Sequence, residues 1–135
     1  MISIKSIMTK NVIAVSPNLP IYEALDLLMK HKISGMPVVD SNNHVVGILT
    51  EKDVLKILID KNLHAKNKVS DYMSHEVISF SEDEDAINIC KFFIKSHIRR
   101  VPILKDNKLV GIVSRRDLVS LILEAKSKIS SFRYD

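Results

Sequence analysis

The chain has no tryptophan, one cysteine and three glycines among its 135 residues. Cys90 has no partner for an internal disulfide, so a hydrophobic core must hold the fold and a reducing cytoplasm is the expected setting. Aromatic residues make up 5%, too few for the base-stacking platforms of single-strand nucleic-acid binders. No run approaches the roughly 18 consecutive apolar residues of a membrane span. The opening residues, Met1-Ile-Ser-Ile-Lys5, lack the apolar stretch of a secretory signal. The histidines stand at 31, 44, 64, 75 and 97, none with a second ligand at metal spacing, so no metal is expected. There is no phosphate-cradling glycine loop, no nucleophile with a base and no pair of catalytic carboxylates. Those absences point away from an enzyme and from a catalytic cofactor. What is present is an apolar fraction of 46%, enough for a core, and a net charge of +4. That charge suits a small anionic ligand and does not by itself call for nucleic acid or a membrane surface.

Two of the three glycines stand in one phrase written twice, Gly47-Ile-Leu-Thr-Glu-Lys-Asp53 and Gly111-Ile-Val-Ser-Arg-Arg-Asp117. Displacing the sequence by 65 places Met8 on Met73, Val12-Ile13 on Val77-Ile78, Ser16 on Ser81, Ile33 on Ile98 and Pro37 on Pro102. One deletion in a turn then puts Gly47 on Gly111 and Asp53 on Asp117. Glycine and proline fix backbone conformation, so matched pairs of them imply a repeated chain path.

Each copy has a lead-in (4–8, 69–73) and a strand (12–15, 77–80). An amphipathic helix follows, carrying Ile21, Leu25, Leu28 and Met29 in one copy and Ile87, Cys90, Phe93 and Ile94 in the other. Pro20 is expected in a first helical turn and Asp85 at an N-cap. Two apolar runs then flank a polar turn, 36–39 with 45–49 and 101–104 with 108–113, and read as hairpins. A second helix closes each copy near 51–61 and 115–126. The fold class is therefore α/β, two β-α-β-β-α repeats. The expected domains are 1–62 and 69–135 with a polar linker at 63–68. A copy this small is marginal alone, so the two are expected to pack by pseudo-twofold symmetry and leave clefts between them. Met8, Met29, Met36 and Met73 read as core or interface packing, and Cys90 as buried and inert.

Thr50 and Ser114 fall at helix N-caps, where bare amide hydrogens and a hydroxyl form an anion site. Gly47 and Gly111 would let another group approach the strand backbone closely. Asp53 and Asp117, three residues after the hydroxyls, can accept two hydrogen bonds from a vicinal diol such as a ribose. The same Thr-x-x-Asp and Ser-x-x-Asp spacing also fits a capping box that only ends a helix. Both roles are compatible.

These two phrases, with Ile33-Ser-Gly-Met-Pro-Val-Val39 and Ile98-Arg-Arg-Val-Pro-Ile-Leu104, resemble a tandem pair of cystathionine-beta-synthase (CBS) domains, a Bateman module. The resemblance covers nearly the whole chain. It implies adenosine-nucleotide binding between the copies, with the Asp on the ribose, the Ser or Thr near phosphate, and the residues before each Pro facing the ligand held by the other copy. Four of five arginines stand in two second-copy pairs, Arg99-Arg100 and Arg115-Arg116, where the first copy has Ser34-Gly35 and Glu51-Lys52. Arginine suits fixed, bidentate phosphate contacts. The resemblance thus implies one stronger site of Thr50, Asp53, Arg99, Arg100 and Arg116, and a weaker one of Ser34, Gly35, Ser114 and Asp117. The implied function is sensing of AMP, ADP or ATP by a conformational shift, with an unidentified effector protein and a homodimer joined through apolar helix faces around 25–29 and 54–59. The alternatives are a ligand-free interaction or dimerisation module and a sensor of S-adenosylmethionine or NAD.

Overall fold

In the computed structural model, which describes residues 1–59 and 67–133, helix α1 is Ile21–His31 and its core face is Ile21, Ala24 and Leu28. The matching helix, α4 (Ala86–Lys95), buries Ala86, Ile89 and Phe93. In α1 the small Ala24 stands mid-face between Ile21 and Leu28, whereas in α4 Ala86 stands at the helix start and Ile89 takes the middle of the face. The sequence pattern is apolar over a wider arc than this face. Met29 and Ile94, expected inward, are each 78% exposed, and Ile87 is 46% exposed. Cys90, expected buried, is only partly so. Pro20 stands at the cap position before α1, and the left-handed Lys32 (φ 52°) closes the helix by donating its N–H to the Leu28 and Met29 carbonyls. Asp85 caps α4 as expected. Its Oδ1 accepts from the Ile87 and Ile2 amides at 3.2 Å each. Those bonds hold its carboxyl below the usual value.

Both hairpins form. Strand β1 (Gly35–Val39) runs antiparallel to β2 (Val45–Thr50), with Gly35 opposite Thr50 and Met36 opposite Leu49. The Asp40 carboxylate holds the turn by accepting from the Asn42 and His44 amides, both at 2.9 Å. In the second repeat β4 (Arg100–Lys105) lies between β3 (Phe80–Ser81) and β5 (Lys108–Ser114). Its turn places Asp106 and Asn107 at φ 52° and 65°, the left-handed pair that matches the twist of a tight hairpin. Of the strand expected at 77–80 only Phe80 is realised, in the two-residue β3 that starts three residues later and runs parallel to β4. Its first-copy counterpart reduces to Val15, which bonds Pro37 O and Val39 N in a parallel bridge. The closing helices are α2 (Glu51–Val54) and α3 (Lys56–Ile59), broken at Leu55, and the single long α5 (Arg115–Arg133). Residues 60–66, which take in the end of the first repeat and most of the expected linker, lie outside the described residues.

Compactness does not follow chain order. Met1–Asn11 forms one unit with Ser79–Lys105 and the chain from Val110 onward, while Val12–Ile78 and Asp106–Leu109 form the other. The lead-ins therefore change places. Ile4, in the 3-10 turn Ile4–Ser6, is fully buried among Ala86, Ile89, Val101, Ile103 and Val113. Val69, in the matching turn Val69–Asp71, is fully buried among Ile21, Ala24, Val38 and Leu49. Each lead-in ends by pairing with the strand that carries the glycine phrase. Thr9 exchanges backbone bonds with Ile112 at 2.9 and 3.0 Å, and Ser74 does the same with Ile48.

The phrase glycines are explained by this pairing. A Cβ on Gly47 would lie 2.6 Å from Met73 Sδ and 2.9 Å from Ser74 O, and one on Gly111 would lie 2.6 Å from Met8 Sδ and 3.1 Å from Thr9 O. The close approach expected of a ligand is thus made by the chain itself, and the two methionines pack against the strand backbone. Gly47→Ala should destabilise the fold by about 1–3 kcal/mol through overpacking. Gly111→Ala should cost less, because the atom in its way is mainly a flexible side chain. Urea denaturation of the two variants, alone and with Met73→Ala or Met8→Ala, checks this. Met8→Ala should rescue Gly111→Ala more fully than Met73→Ala rescues Gly47→Ala, where the Ser74 carbonyl still blocks.

Candidate functional site

The apolar run of β2 ends at Thr50, and helix α2 starts at the next residue. Thr50 is extended (φ −121°, ψ 164°), the conformation of an N-cap. Its Oγ1 accepts from the Asp53 amide at 3.3 Å, and the Asp53 carboxylate reaches back, Oδ2 accepting from Thr50 N–H at 2.9 Å. The Thr50 hydroxyl also donates to that oxygen, at 3.0 Å. The second copy repeats the arrangement. Asp117 Oδ2 accepts from Ser114 N–H at 2.7 Å, and Ser114 Oγ accepts from Asp117 N–H at 3.2 Å. Both phrases are therefore true capping boxes.

Capping does not exhaust these carboxylates. A carboxylate has two oxygens and about four acceptor positions. The capping bonds of Asp53 and of Asp117 all fall on Oδ2, so Oδ1 keeps its acceptor capacity. Both side chains are half-buried, open enough to receive a ligand hydroxyl and held still by the box. The helix dipole contributes unequally. Helix α2 has four residues and α5 has nineteen, and a single turn aligns few peptide dipoles.

Within one unit, Ser34 and Gly35 lie beside this box. Gly35 pairs with Thr50, and the Ser34 carbonyl accepts the Glu51 amide at 2.9 Å. Within the other unit, the Arg99 carbonyl accepts the Arg115 amide at 2.9 Å. That bond sets Arg99 and Arg100 next to the segment bearing Ser114, Arg116 and Asp117. The structure thus brings each pre-proline pair to the box of its own copy. Thr50 and Asp53 lie in one unit, and Arg99, Arg100 and Arg116 lie in the other. Side chains alternate faces along a regular strand, but β4 begins at Arg100, and exposed Arg99 precedes it in irregular chain. The alternation rule therefore does not force the two guanidinium groups apart.

Arg115 is not available as a phosphate clamp. Its guanidinium donates to the Phe93 carbonyl at 3.2 Å and to the Ser96 carbonyl. Arg115 belongs to neither site expected from the sequence, and this role is not legible there. Met8 and Met73 were likewise read only as packing residues. Their offset of 65 matches that of the repeats, but which glycine each covers is set by the fold.

The CBS domain pattern matches residues 4–60 and again 69–124. The chain belongs to the CBS domain family. Among solved structures, the CBS domain pair of protein MJ0100, in complex with 5′-methylthioadenosine and S-adenosyl-L-methionine, is 32% identical with a TM-score of 0.79, covering 91% of this chain and 97% of that one. The protein CBSX2 in complex with AMP is 25% identical with a TM-score of 0.84, covering 93% and 99%. Protein MJ1225 of Methanocaldococcus jannaschii is 29% identical over 88% of this chain, which spans 42% of that relative's length. Among the described residues, no helix is long and apolar enough to cross a membrane.

The boxes stabilise the protein whether or not a ligand is present. Thr50→Ala and Asp53→Ala should each lower unfolding free energy by about 0.5–2 kcal/mol in nucleotide-free protein. Thr50→Ser should leave it close to the parent. Chemical denaturation without added ligand measures this, and no loss in either alanine variant would contradict the boxes as drawn.

Proposed function

We propose that this CBS pair is a regulatory module that binds an adenosine nucleotide, AMP, ADP or ATP, and signals by a ligand-dependent shift in conformation. The observation that carries this reading is the twin carboxylate, Asp53 and Asp117, each anchored through Oδ2 with Oδ1 left to accept from a sugar. CBS pairs of similar structure are known with AMP and with S-adenosylmethionine and methylthioadenosine bound, and every one of those ligands contains adenosine.

Thr50 and Asp53 form the stronger set, with Arg99, Arg100 and Arg116 supplying phosphate contacts. Ser114 and Asp117, with Ser34 and Gly35, form a weaker set. The short helix behind Thr50 offers little dipole, so charge recognition falls to the guanidinium groups, whose planar forks match phosphate oxygens. A ligand moves such a module only by its difference in affinity between two states. The reader of that shift is an effector protein or a further segment of a longer chain. Apolar side chains exposed on the helices, Met29 and Ile94 among them, support a homodimer.

S-adenosylmethionine is the second reading, favoured by its presence on the MJ0100 pair. Its sulfonium is a cation, so adjacent arginines favour a phosphate over it. Calorimetric titration with adenosine, AMP, ATP and S-adenosylmethionine separates the two. AMP or ATP should bind more tightly than adenosine. Arg99→Ala/Arg100→Ala should cost about 1.5–3 kcal/mol per charged hydrogen bond lost with AMP and leave adenosine nearly unchanged. Equal losses for adenosine and AMP would defeat the arginine assignment. Tightest binding of S-adenosylmethionine would favour the second reading, and no binding of any of these would favour a ligand-free interaction module.

A further inference from the structure

The two repeats end their first helices by different means. Helix α1 closes on its own backbone, through left-handed Lys32 and the bond from Ile33 N–H to Leu28 O at 3.1 Å. Helix α4 has no such residue. Its C-cap, Ser96, is extended (φ −114°, ψ 155°), and among the described residues no left-handed position falls between 96 and 100. Its terminal carbonyls are met by a side chain from elsewhere, the Arg115 guanidinium, on Phe93 O and Ser96 O.

Arg115 also holds the other end of the same connection. Its backbone N–H donates to Arg99 O at 2.9 Å. Between these two anchors the Ser96 hydroxyl accepts the Ile98 amide at 3.0 Å. One residue therefore fixes both ends of the segment Ser96–Arg99, which leads directly into Arg100 and β4. The first copy keeps only the backbone half of this arrangement, the bond from Glu51 N–H to Ser34 O at 2.9 Å. Glu51 has no side-chain donor to offer the end of α1. The Arg115 guanidinium therefore supplies, in the copy that carries the arginine pair, a brace that Glu51 cannot supply at the matching position.

We infer that Arg115 is a positioning residue for anion binding. It holds the 96–99 connection so that the guanidinium groups of Arg99 and Arg100 are presented in one place before a phosphate arrives. The inference rests on the nucleotide reading above. Preorganisation of this kind raises affinity by removing the ordering cost from the binding step. Arg115 acts through its neighbours, because its own donors are committed to main-chain carbonyls.

The test combines affinity with amide exchange. In Arg115→Ala, AMP affinity should fall about tenfold while adenosine affinity stays within about twofold. In an Arg99→Ala/Arg100→Ala background, adding Arg115→Ala should change AMP affinity no further, since groups acting as one unit are not additive. In the free protein, the amide hydrogens of residues 97–100 should exchange faster in Arg115→Ala than in the parent. Arg115→Lys, which keeps charge but not the fork, should shift exchange and affinity in the same direction and serves if the alanine variant does not fold. Equal loss for adenosine and AMP, a further additive loss in the double-alanine background, or unchanged exchange at 97–100 would each overturn the inference. If the parent binds neither adenosine nor AMP, the nucleotide reading fails. Exchange at 97–100 then decides the brace alone, faster exchange upholding it and unchanged exchange sinking it.

Discussion

The fold depends on two places where a strand has no side chain so that another segment can lie against its backbone. At Gly47 the segment is Met73-Ser74, and at Gly111 it is Met8-Thr9. Each of those segments comes from the other repeat. Their anchoring residues, Val69 and Ile4, are wholly buried in the core they visit. Neither repeat can therefore complete its core from its own contiguous sequence. A repeat of this size buries too little surface to stand alone, and exchange of lead-ins makes each dependent on the other.

The same pairing fixes where the polar phrase emerges. Thr50 and Ser114 lie three residues beyond the glycines, at the ends of strands already pinned by the visiting segments. The backbone turns there into a helix, and the capping box locks the turn. In consequence a carboxylate is held with one oxygen satisfied and one in reserve. A side chain immobilised for a structural reason loses little further entropy when it accepts a ligand hydroxyl. Capping and the proposed ligand binding are therefore compatible uses of one residue.

Most of the architecture could be read from the chain because it was written twice. Pro37 with Pro102 and Gly47 with Gly111 mark backbone geometry, and both hairpins and the Asp85 cap follow from local chemistry that tertiary context leaves intact. The errors came where a local pattern has two solutions. Ile87 and Ile94 satisfy helical spacing as well as the truly buried residues do, and only tertiary packing decides which of them face the core. The exchange of lead-ins was hidden because a repeat in sequence says nothing about which copy its first turn joins. The bracing role of Arg115 was hidden for a related reason. An arginine beside an arginine looks like a phosphate clamp, while the unsatisfied carbonyls that claim it lie about twenty residues away in sequence, at the end of α4.

A crystal structure of the protein grown with AMP is the most direct test of the nucleotide assignment. The ribose hydroxyls should lie within hydrogen-bond reach of a carboxylate of the phrase, Asp53 first, with its capping bonds intact. AMP bound at a place remote from both Asp53 and Asp117, with those carboxylates facing bulk water, would contradict it.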